Sequence, residues 1–93
     1  MRKEDLKEII EGKYELEFNH WHKLCVEDND SPKDRYEYIH NKLNELFIYM
    51  QGYLSAIVDA NVVLLGEYRE LMDFNLECWK KYFAKNNKEY YGD

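Results

Sequence analysis

The sequence predicts an all-α protein of three antiparallel helices, with a long central helix and a helical hairpin near residues 60–64. Two observations predict it. Apolar residues recur at steps of three and four along nearly the whole chain, as they do on one face of a helix. The single proline sits inside a helix-start signature, and no segment alternates apolar and polar residues as a strand would. With 93 residues the chain forms one domain, spanning 1–93, and can bury one modest core.

The first helix is predicted over residues 3–26. Leu6, Ile10, Tyr14, Phe18, Trp21 and Cys25 share one face. Gly12 lies within it and weakens it by about 1 kcal/mol relative to alanine. The polar link "EDND", Glu27 to Asp30, follows. Then "SPKD" starts a second helix. Ser31 accepts from a free backbone N–H as N-cap, Pro32 has no N–H to lose at the first position, and Asp34 faces the positive helix end. Tyr36, Ile39, Leu43, Leu46, Met50, Tyr53, Ile57 and Ala60 form a heptad-like seam, widened by Phe47, Leu54 and Val58. That width suits a helix buried between two neighbours.

"DANVVLLGEYRE" interrupts the seam. Asn61 tolerates the left-handed conformation that ends a helix, and Val62 and Val63 have weaker helix propensity. A third helix is expected from about Leu64 to Lys85, with Leu65, Tyr68, Met72, Leu76, Trp79 and Phe83 as its core stripe and Leu64, Leu71, Cys78 and Tyr82 beside it. The competing possibility, one helix from 32 to 85, would be ~80 Å long at ~1.5 Å per residue, too long for a compact monomer. Three helices with such broad apolar arcs carry more apolar surface than one small bundle needs. The surplus predicts a homodimer or an apolar docking face.

Composition narrows the function. Hydrophobic residues make up 45% and charged residues 34%, a globular balance, and the net charge is −6. An acidic chain is a poor ligand for a nucleic-acid backbone, so no direct nucleic-acid partner is expected. The one basic run, Lys80, Lys81, Lys85 and Lys88 among Tyr82, Phe83, Tyr90 and Tyr91, fits the end of a helix and a solvated tail. Cys25 and Cys78 form no disulfide framework. "MRKEDLKEIIEGK" is too charged for a signal peptide, and Val62 to Leu65 is too short to span a bilayer. A cytoplasmic location with reduced thiols is predicted, and no membrane partner.

"FNHWHKLC", Phe18 to Cys25, looks most like chemistry. On a helix, however, His20 and His22 point to nearly opposite sides and cannot hold one metal. His22 and Cys25 have usable spacing but need further ligands, His40 or Cys78. No metal site and no cofactor are predicted. A cysteine nucleophile needs an electropositive, open setting, and both cysteines lie on apolar stripes. No catalytic residue is assigned. "EIIE", Glu8 to Glu11, and "ELMD", Glu70 to Asp73, resemble the ExxE and ExxD of the helical nucleotide pyrophosphohydrolases of the MazG type. That resemblance implies Mg²⁺-dependent hydrolysis held by these carboxylates. It covers eight residues, and the family's two motifs lie closer together in sequence.

A binding surface remains. Glu67, Glu70, Asp73 and Glu77 line one side of the third helix, and Phe74 is expected to project among them as an exposed anchor in a polar rim. Ile48 lies on the polar side of the second helix above Gly52 and Ser55, where small side chains let another helix approach. The predicted function is a small acidic protein, not an enzyme, that binds another protein as an inhibitor, adaptor or regulatory subunit. A phage or mobile-element inhibitor that competes for a basic nucleic-acid-binding surface has this character. The Mg²⁺-dependent enzyme and a purely structural oligomerisation module are the alternatives.

Overall fold

The first helix stops where the chain turns left-handed. In the computed structural model, which describes residues 2–60 and 65–91 (the side chains of Tyr90 and Tyr91 excepted), α1 runs Lys3–Glu27, α2 Pro32–Asp59 and α3 Leu65–Tyr91. No strand occurs among the described residues. Asn29 has φ 58°, a conformation that asparagine tolerates better than most side chains. Its N–H donates to the Val26 carbonyl and the N–H of Asp30 to that of Cys25, which satisfies two of the orphan carbonyls of α1.

Ser31 then caps α2. Its Oγ accepts from the Asp34 N–H at 3.2 Å, and its carbonyl from that of Arg35 at 2.9 Å. The Arg35 side chain ties the link down by donating to the Asp30 carbonyl at 2.7 Å. At its far end α2 finishes at Asp59, with the Ala60 N–H bonded to the Ala56 carbonyl. Ser55 meets Tyr68 and Asn44 meets Trp79, so α3 folds back on α2, which excludes a continuous helix from 32 to 85. Asn61, Val62, Val63 and Leu64, on which the predicted turn chemistry rests, lie outside the described residues.

One apolar cluster draws on all three helices. Leu6, Ile10, Tyr14, Phe18, Trp21 and Cys25 of α1 meet Ile39, Leu43, Leu46, Met50 and Leu54 of α2 and Leu71, Cys78 and Tyr82 of α3. The α1 face is the one its spacing predicts. On α2, Leu54 joins the centre of the core, Tyr36, Tyr53 and Ile57 are half-buried, and Ala60 is exposed. The pairings run in order. Ser55 meets Tyr68, Asn44 meets Trp79 and Tyr36 meets Asn86, so positions on α2 fall as those on α3 rise. Along α1 and α3 they rise together, with Lys7 at Glu70, Glu11 at Lys81 and His22 at Glu89.

On α3 the structure departs from the pattern. The expected core stripe of Leu65, Tyr68, Met72, Leu76, Trp79 and Phe83 is not the buried line. Leu65 is 73% exposed and the other five are half-buried. The buried line is Leu71, Asn75, Cys78, Tyr82 and Asn86. The reason is position. α3 packs on α1 and α2 together, so its deepest line faces the gap between them, while the aromatic stripe meets α2 through Tyr68, Trp79 and Phe83. Two asparagines in the deepest line hide it from a reading of apolar spacing.

Candidate interaction surfaces

The first surface is the α1–α3 seam, built from charged residues on both helices. Glu70 accepts from Lys3 at 2.7 Å and from Lys7 at 3.1 Å. The Lys7 ammonium also lies 5.5 Å from the centre of the Phe74 ring. Two turns on, Glu11 accepts from Lys81 at 2.7 Å and from the Cys78 thiol at 3.1 Å. Further still, Lys85 sits 5.2 Å from the Phe18 ring centre and His22 lies 3.8 Å from Glu89. Lys81 and Lys85 of the basic run thus serve the seam, and helix α3 continues beyond them to Tyr91.

The sequence-predicted partner residues divide over this geometry. Phe74 is half-buried against the core and covered by Lys7, so the expectation of an exposed anchor is corrected. α1 supplies the lysine that covers it, and a reading of α3 alone does not see it. Glu70 is spent on Lys3 and Lys7, and its hydrogen bond raises the affinity of Lys3 for its proton, to which the half-buried Glu67 adds a smaller part. Asp73 and Glu77 are exposed and enter no salt bridge among the described residues. Glu8 and Glu15 of α1 are the same. Glu4, Glu8, Glu11 and Glu15, at three- and four-residue steps, form one stripe on α1; burial and then the Glu11 charge disfavour ionisation of Tyr82 on α3, and Glu15 adds a smaller part.

The carboxylates of the two ExxE-like motifs do not converge. Glu11 is bonded to residues 78 and 81, and Glu70 to residues 3 and 7, on opposite sides of Phe74. Among the described residues no group of three His, Cys, Asp or Glu side chains is placed to hold a metal ion. Phe18, Trp21 and Cys25 are buried, His22 is half-buried and His20 is exposed. Burial raises both thiols, and with the Glu11 carboxylate beside it Cys78 is pushed up to about 12.

The seam makes stability pH-dependent. The Lys81 hydrogen bond holds the Glu11 carboxyl below its ordinary value of 4.5, and those of Lys3 and Lys7 do the same for Glu70. The folded chain therefore binds fewer protons than the unfolded one in this range. The contribution is complete above 4.5 and is lost as pH falls through the lowered values. Urea unfolding between pH 7 and 2 is expected to show an acid limb that Glu11→Gln flattens. An identical limb in that variant would contradict the assignment.

The second surface is the outer groove between α2 and α3, on the side away from α1. Rings line it without a break. Tyr36 stacks on His40 at 6.0 Å, His40 meets Phe83 edge-on at 4.9 Å, Phe83 stacks on Trp79 at 5.1 Å, and Trp79 lies 5.9 Å from Phe47. The Trp79 Nε1–H donates to Asn44 Oδ1 at 3.1 Å, which fixes the indole. Beyond Phe47 the groove opens into a hollow of about 530 Å³ lined by Asn44, Phe47, Ile48, Leu76 and Trp79. Ile48 stands 65% exposed at its edge, as its place in the sequence predicts.

Fold and surfaces together define a class, an all-α helical bundle. Among the described residues no helix is long and apolar enough to cross a membrane. No protein family, curated protein or solved structure matches the chain.

Proposed function

We propose that the chain is a non-enzymatic protein-binding protein, an inhibitor, adaptor or regulatory subunit. It docks by a carboxylate face onto a basic surface of another protein, such as the groove of a nucleic-acid-binding protein. Its working form is a helical homodimer inside the cell, and a phage or mobile element is a fitting source. One observation carries this. Glu8 and Glu15 on α1 and Asp73 and Glu77 on α3 are exposed and without salt-bridge partners among the described residues, on two helices that pack together. Solvated carboxylates cost little to present, and they steer a positive partner into contact.

Asp73 and Glu77 give a cleaner test than Glu70 or Phe74, which hold α1 to α3. The tagged chain, used as bait in lysate of its source cells, is expected to retain a basic protein at low salt and release it at about 0.5 M salt. Asp73→Lys with Glu77→Lys is expected to slow association by about tenfold or more, measured by surface plasmon resonance, with the helical circular dichroism unchanged. Recovery of nothing but the chain itself, or a partner indifferent to the charge reversal, would sink the proposal.

A further inference from the structure

We propose that the open α2–α3 groove is closed by a second copy of this chain, packed face to face about a two-fold axis near Ile48 and Leu76, a surface that rests on the homodimer proposed above. A symmetric contact uses the same patch twice, so the patch must carry both a projection and a recess to receive it. Here they adjoin. Ile48 is the projection, 65% exposed. The hollow of about 530 Å³ beside it, floored by Phe47, Leu76 and Trp79, is the recess.

Charge selects this face for a like-charged copy. Two chains of net charge −6 repel over most of their surfaces. None of the five residues lining the hollow is charged, in a chain that is 34% charged. Depletion of charge around aromatic residues is the composition of an interface centre. A hollow of about 350 Å³ between α1 and α2 differs, because the Lys13–Glu17 and Lys42–Glu45 pairs line it and would lose water on docking.

Size agrees. The molecule measures 45 × 24 × 17 Å. Centred on the two-fold axis, the stretch of α2 from His40 to Val58 is about 27 Å long at ~1.5 Å per residue, and two packed helices present about 20 Å of width. That is roughly 550 Å² of flat footprint, which side-chain relief raises toward the about 800 Å² per partner of a standard interface. Gly52 has no atom within 4 Å of where a Cβ would stand, and with Ser55 it keeps the neighbouring turn low enough for the partner's helix.

Sedimentation of the full chain across concentrations tests this. The wild type is expected to form a dimer that Ile48→Glu weakens by about a hundredfold, because each dimer carries the change twice. Leu16→Glu, at an equally exposed site on α1, is expected to leave the dimer intact. Mixing Ile48→Glu with Ile48→Lys is expected to restore a mixed dimer, since residues near the axis face each other. Unfolding of Ile48→Glu at dilution should match that of the dilute wild type, which separates lost association from lost folding. A wild type still monomeric at about 100 μM overturns the proposal. So does a dimer that Ile48→Glu leaves unmoved, and so does a monomeric chain whose groove takes up a helix of another protein. Glu8→Lys with Glu15→Lys, exposed on α1 and outside the α2–α3 groove, should dimerise normally, so failure of the carboxylate face and failure of the dimer read out separately.

Discussion

Replacing Asn75 with alanine is expected to destabilise the protein by about 2–4 kcal/mol, more than any surface substitution. Asn75 is fully buried at the centre of α3. Its Oδ1 accepts from the Tyr14 hydroxyl at 2.7 Å and its Nδ2 donates to the Phe47 carbonyl at 3.3 Å, so one amide joins all three helices. Alanine leaves the tyrosine hydroxyl dry and unpaired and opens a small cavity. At about 4–8 °C per kcal/mol for a domain of this size, the melting temperature should fall by roughly 8–32 °C. Tyr14→Phe alone should also destabilise, since it strands the Asn75 oxygen. Asn75→Leu with Tyr14→Phe should cost less than the sum of the single changes, with a coupling of about 0.5–3 kcal/mol. Additive effects in that cycle would show that the bond has no special weight.

A second large effect is expected at Leu71. Leu71→Ala removes a side chain with no exposed surface and should cost about 2–5 kcal/mol. Leu65→Ala, one and a half turns away and 73% exposed, should change stability by no more than about 0.5 kcal/mol. Guanidinium unfolding of the two variants gives the comparison. A Leu65 variant as damaged as the Leu71 one would mean that α3 is rotated about its axis relative to the arrangement described.

That rotation is also where sequence and structure part. The faces of α1 and α2 were legible, because each presents one regular apolar line to the interior. The start of α2 was legible too, because serine, proline and aspartate act there through local chemistry that needs no tertiary partner. On α3 the largest apolar side chains lie on the flank and two amides lie in the deepest line. Periodicity follows size and hydrophobicity, so it pointed to Trp79 and Phe83 instead of Asn75 and Cys78. Ile48 was legible as a misplaced apolar residue. The cover over Phe74 was not, since Lys7 is far away in sequence. The grip of Lys81 on Glu11, across 70 positions, likewise leaves no local trace.

Asn75 and Asn86 stand eleven residues apart on the buried line of α3, about three turns, and each donates its Nδ2 to a backbone carbonyl of α2. Apolar side chains are nearly interchangeable when one helix slides past another by a turn; amides that must find particular carbonyls are not. The two asparagines act as detents. Slippage of α3 along α2 lifts both from their partners at once and leaves them dry. With leucine at both sites the bundle would be less certain of its own alignment.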